Sequence, residues 1–124
     1  MKDIITDSIG ANPVTYINIL ENSSNKEIRI KDENKIKEIL DGFYDLKLKK
    51  SKESNNINKN IYYIKIDSID TSITNSVNNH NFLGMTLYDS KYITIYNSTN
   101  SSVNTYLITS SFDDSSIKKF LSGN

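Results

Sequence analysis

The chain has 124 residues, no cysteine and a formal net charge of zero. That length suits one ordinary domain with its own core, and the missing cysteines exclude a disulfide framework and thiolate metal sites. The neutral balance gives no global pull towards nucleic acid or anionic lipid, and no segment has the apolar length of a membrane span. Ile, Asn, Lys, Ser and Tyr dominate, and Arg29 is the one arginine. These residues have AT-rich codons, the usage of a low-GC Gram-positive bacterium or its phage. The start, Met1-Lys-Asp-Ile-Ile-Thr-Asp7, has no apolar core of signal-peptide length.

Residues 1–13 read as a flexible lead-in closed by Asn12-Pro13, and 14–124 as a single domain. Val14–Leu20 and Lys26–Lys31 alternate apolar and polar residues and read as strands. A loop from Asn22 to Asn25 would pair Ile19 with Ile28 and Ile17 with Ile30. All four isoleucines then share one face. Asp32 is placed to cap a helix whose inward side is Ile36, Ile39, Leu40 and Phe43, at i, i+3, i+4 and i+7. Glu33 suits the positive helix start and can pair with Lys37. Gly42 puts the helix end near Asp41–Tyr44. This helix should pack on the isoleucine face.

Asp45–Lys50 alternates again and is expected to pair antiparallel with the strong strand Ile61–Asp67. Polar connections follow at 51–60 and 70–81. The richest stretch is Phe82–Tyr96, a hairpin with two different apolar faces. Leu83, Met85, Leu87, Ile93 and Ile95 fall on one parity; Tyr88, Tyr92 and Tyr96, led by Phe82, fall on the other. A two-residue loop mixes these faces. A three-residue loop, Asp89-Ser90-Lys91, pairs Tyr88 with Tyr92, Leu87 with Ile93 and Met85 with Ile95. It also sets Tyr96 across from Gly84, where a ring can cover bare backbone. Its cost is Lys91 at a position that favours glycine. A loop at 97–104, a short strand at 105–109 and a last helix complete the chain. That helix is capped by Asp113 or Asp114, with Ile117, Phe120 and Leu121 inward. The expected fold is α+β: an antiparallel meander sheet packed against one main helix, with a short C-terminal helix.

Motifs for chemistry are sparse. His80 is the one histidine, in a polar run without a partner set, and reads as an exposed loop residue. Asp67 with Asp70, and Asp113 with Asp114, lack the ordered oxygen spacing and turn glycine of a calcium loop. They read as strand-end and helix-cap residues. No phosphate-binding glycine loop, nucleophile elbow or zinc motif occurs. We therefore expect no enzyme, no cofactor, no metal site and no catalytic residue. Lys47, Lys49, Lys50, Lys52 and Lys59 form the strongest charge cluster. A phosphate-binding role lacks arginine support, and protection of a sheet edge explains these lysines better. The best candidate surface is aromatic: Tyr88, Tyr92 and Tyr96, joined by Tyr63 and Tyr16. Tyrosine offers large contact area at small entropy cost.

From Ile17 onward the order of features resembles small uncharacterised domains of clostridial lipoproteins and secreted proteins. The residues that carry the likeness are Ile28-Arg-Ile30, Ile36, Ile39-Leu40, the lysines of 47–52 and Tyr62-Tyr-Ile-Lys-Ile66. In such domains a hairpin leads directly into a helix and then a meander. The likeness implies an extracytoplasmic location with the signal removed, which we favour over a cytoplasmic one. The expectation is a non-catalytic binding or protein-interaction module that uses an aromatic sheet face towards an unknown protein or cell-envelope partner. The alternative is an intracellular inhibitor or immunity-type protein of a phage or mobile element.

Overall fold

The computed structural model describes residues 1–9, 13–51, 60–69, 80–88, 91–98 and 100–122. Strands β1 (Val14–Glu21) and β2 (Lys26–Ile30) form the first hairpin, and helix α2 (Glu33–Tyr44) follows at once. Strand β3 (Leu48–Lys50) is short; β4 (Asn60–Ile69), β5 (His80–Tyr88), β6 (Tyr92–Asn97) and β7 (Ser102–Ile108) run as a meander before α3 (Ser115–Ser122). One more helix, α1 (Lys2–Ile9), precedes them all. The seven strands form one sheet in the order β2-β1-β4-β5-β6-β7-β3, with antiparallel neighbours throughout. The fold is α+β.

Face consistency sets the registers. In the first hairpin Ile17 pairs with Ile30 and Ile19 with Ile28, and Asn25 takes φ 56 in the turn. In the second, Tyr88 pairs with Tyr92, Leu87 with Ile93, Met85 with Ile95 and Gly84 with Tyr96. The three-residue loop is therefore the one used, although Asp89 and Ser90 themselves lie outside the described residues. Rows of isoleucine, leucine and methionine cross the sheet on one side. One row is Ile28, Ile19, Ile64, Met85 and Ile95. All but the half-buried Ile28 belong to a buried cluster completed by Ile5 and Ile9 of α1, by Ile36, Ile39, Leu40 and Phe43 of α2, and by Ile117, Phe120 and Leu121 of α3. All three helices thus seat on the same face.

Local chemistry starts the helices where the sequence suggests. The Lys35 backbone N–H donates to the Asp32 carboxylate at 3.0 Å, capping α2. The i, i+4 ion pair on that helix is Lys37 with Asp41 at 3.1 Å, not Glu33 with Lys37. Before α3 the Ser115 N–H donates to Asp113 at 2.9 Å, which holds the Asp113 carboxyl below its ordinary range.

Three expectations need correction. Residues 2–9 are not a flexible lead-in: they form α1, whose Ile5 and Ile9 are buried in the core. The i, i+4 spacing of those isoleucines gives the segment an apolar stripe that the sheet can cover. Strand β3 does not pair with β4. It pairs with β7 at the opposite edge, Leu48 beside Ile108 and Lys50 beside Tyr106, because β1 already occupies the free side of β4. The stretch 97–104 is not all loop: β6 runs to Asn97 and β7 already begins at Ser102, with Ser101 at φ 56.

Candidate functional site

The other face of the sheet carries no helix, and no described element packs over it. Its residues follow from the same registers. One row runs Arg29, Asn18, Lys65, Gly84, Tyr96 and Val103. The next runs Glu27, Leu20, Tyr63, Thr86, Thr94 and Thr105. A third, towards the second hairpin's turn, holds Tyr88, Tyr92, Leu107 and Lys49. Tyr16 and Phe82 flank Asp67 at the far end. An uncovered sheet face is usually polar; here six of the nineteen residues just named are aromatic.

Tyr16, Tyr63, Tyr88, Tyr92 and Tyr96 thus share one face, but in separate groups rather than one patch. The Arg29 guanidinium lies 4.1 Å from the Tyr16 ring centroid. Tyr88 and Tyr92 are direct cross-strand neighbours beside the turn. Tyr96 leans on Phe82, ring centroids 5.4 Å apart, and the Lys65 ammonium sits 4.7 Å from the Phe82 ring. Tyr63 lies over Gly84: a Cβ there would stand 3.0 Å from the Tyr63 hydroxyl. The ring that covers the bare backbone is therefore Tyr63 from β4, one row away, while Tyr96, directly opposite Gly84, turns to Phe82. Tyr63 is also the most open of the five, at 39% exposure; the other four are half-buried. Cations at these distances are attracted by the ring quadrupoles. Thr94 and Thr105 share a hydroxyl hydrogen bond of 2.9 Å between them.

His80 is not in a loop. It is the first residue of β5, with a half-exposed side chain whose Nδ1–H donates to Asp67 Oδ2 at 2.8 Å. The Thr15 hydroxyl donates to the same oxygen. Asp67 is buried inside β4, not a strand-end residue, and these two donors satisfy its carboxylate. Sequence reasoning missed this cluster because the three residues sit on three strands and meet only when the β1–β4 and β4–β5 registers are both known. Asp70 lies outside the described residues. Nucleophilic activation needs a hydroxyl on the imidazole and the carboxylate behind it. Here the hydroxyl is on the carboxylate, so the group clamps β1, β4 and β5 together. Among the described residues no three His, Asp or Glu side chains converge as a metal site would require.

Tyr62 points the other way, into the core at 3% exposure, and its hydroxyl donates to Asp114 at 3.3 Å. Burial first, then the neighbouring Asp114 charge, pushes its phenol up to about 12. Lys49 and Lys50 are exposed on β3, a terminal strand, where charge blocks edge-to-edge pairing; Lys52 and Lys59 lie outside the described residues. Among the described residues no helix is long and apolar enough to cross a membrane.

No family model and no curated protein matches the sequence. Among solved structures the chain is similar to a "putative lipoprotein" from Clostridium perfringens, with a TM-score of 0.61 and 16% identity over 98% of this chain and 90% of that chain. The likeness establishes a shared fold, in keeping with the resemblance to clostridial lipoprotein domains read from the sequence.

Proposed function

We propose that this chain is a non-catalytic binding module that takes a protein or cell-envelope partner on its helix-free sheet face. One observation carries the reading: all three helices seat on one side of the sheet, while Tyr16, Tyr63, Tyr88, Tyr92, Tyr96 and Phe82 occupy the other with no described element above them. Tyr16, Phe82 and Tyr96 already rest on a cation or a neighbouring ring, so they lose less freedom on binding. The clostridial structural neighbour supports an extracytoplasmic setting for such a module. A photo-crosslinking residue in place of Tyr63 tests the idea against one in place of Lys37, which is exposed on the helix side. In extracts and envelope fractions of a low-GC Gram-positive bacterium, the Tyr63 position should give discrete adducts and the Lys37 position none. Equal labelling from both positions would sink the proposal.

A further inference from the structure

The sheet has a second unpartnered feature, independent of the aromatic face. Strand β2 is terminal in the sheet, and among the described residues nothing pairs with its outer side. Along that side runs a groove of about 350 Å³ between β2, the start of α2 and α3. Its apolar floor is Ile28, Ile30 and Phe120, and its walls carry Lys31, Lys35 and Lys119. The Lys35 and Lys119 ammonium groups stand 5.8 and 5.1 Å from the Phe120 ring centroid, so both overhang the floor. Lys26 shares the Ile28–Ile30 parity and extends the basic line.

Carboxylates offset this line only in part: the groove is lined by Arg29, Lys31, Lys35 and Lys119 against Asp32, whose carboxylate caps α2. Glu38 reaches Lys119 at 3.7 Å, and among the described residues Lys26, Lys31 and Lys35 have no ion-pair partner. An edge built only to repel other strands needs charge and no apolar slot. The β2 edge instead offers unpaired main chain, an apolar slot and excess positive charge together.

We infer that this edge is a docking site for an extended acidic peptide, which adds to the sheet as a strand antiparallel to β2. Cross-strand neighbours share a face, so the register dictates the ligand. On the helix side it needs an acid opposite Lys26, a β-branched residue opposite Ile28 and an acid opposite Ile30, reaching Lys35 and Lys119. On the other side it needs an acid opposite Arg29 and a neutral residue opposite Glu27. Read from its N-terminus the matching segment is Glu-Asp-Val-Thr-Glu. A second copy of this chain fits less well. Centred on Ile28, self-pairing matches Glu27 with Arg29 but brings two sets of Lys26, Lys31, Lys35 and Lys119 together, which is repulsive.

The test uses a dye-labelled, blocked Glu-Asp-Val-Thr-Glu peptide flanked by glycines, followed by fluorescence anisotropy with the full chain. Binding should saturate, weaken with added salt, and fall at least about tenfold in a Lys31→Glu/Lys35→Glu variant, whose substituted positions are exposed. The same peptide with proline for threonine keeps its charge but loses the main-chain donor aimed at Glu27, whose N–H and C=O face outward because Ile28 is bonded to Ile19, and should bind far more weakly. Amide shift changes should centre on residues 26–30. Equal binding of the proline peptide would reduce the site to nonspecific charge attraction and overturn the inference. So would absence of binding, shifts centred on Tyr63 and Tyr96, or dimerisation through β2 in light scattering.

Discussion

The two faces of this sheet are built by the same strands in the same registers, yet they solve different problems. On the helix side, row after row is isoleucine, leucine or methionine, and the side chains vanish into one cluster. On the other side the alternate rows carry tyrosine, threonine, lysine and arginine, mostly half-buried. A covered face is stabilised by area removed from water. An uncovered face has only neighbour contacts on the pleat, worth far less per residue. The fold should therefore depend on the first face and tolerate change on the second, which leaves the second free for recognition.

The largest effect should come from removing a ring on the covered side. Phe43 is 1% exposed, stacks on Phe112 at 5.6 Å and joins α2 to the core. Phe43→Ala should cost about 3–5 kcal/mol, the usual range for a buried ring replaced by a cavity. Urea unfolding with an unchanged slope would read the loss as a midpoint shift. A loss no larger than that of an open-face tyrosine would refute the contrast between the faces.

Gly84 sharpens the comparison, because it is a buried backbone position on the open side. Gly84→Val places methyl groups where the Tyr63 hydroxyl now lies and should cost about 1–3 kcal/mol. The phenol end of Tyr63 is the group in the way, so the penalty should largely disappear in a Tyr63→Thr background. A double-mutant cycle measures this coupling; strict additivity would mean that Tyr63 does not cover Gly84 in solution. Smaller still is the paired change Tyr88→Thr with Tyr92→Thr. It keeps good strand formers and removes one aromatic cross-strand contact, so stability should fall by only about 0.2–1 kcal/mol. Partner crosslinking through Tyr63 should fall much more. If stability collapsed instead, these tyrosines would be structural.

The legible parts of the fold are those set by period and short range. Ile17, Ile19, Ile28 and Ile30 share a face in only one hairpin register, and Tyr88 with Tyr92 likewise, so pattern and loop length agree before any coordinates. Asp32 and the Ile36–Phe43 spacing announce α2 in the same local way. The edge position of β3 was not legible. Its alternation says strand, but the choice between β4 and β7 is decided by which sheet edge is already taken. The aromatic face was legible as a parity, since Tyr16, Tyr63, Tyr88, Tyr92 and Tyr96 alternate with core residues. Their grouping was not, because ring directions depend on Arg29, Lys65 and Phe82 from other strands. The Thr15–Asp67–His80 clamp needed two registers at once, β1 on β4 and β4 on β5.

One tyrosine crosses the comparison. Tyr62 adjoins Tyr63 in β4 but faces the core, where its phenol is pushed up to about 12 by burial and by Asp114. The unfolded chain ionises this group near 10, so between about pH 10 and 12 the unfolded state holds fewer protons than the folded one. Stability from this group is thus complete below pH 10 and is lost as pH rises towards 12. Tyr62→Phe keeps the ring and removes the titration. At neutral pH it should cost no more than about 0.5–1.5 kcal/mol, the worth of one ordinary hydrogen bond. Above pH 10 the variant should lose stability with pH less steeply than the parent, seen as converging urea midpoints. Parallel midpoints across that window would place the Tyr62 hydroxyl in water rather than under the helices of the covered face.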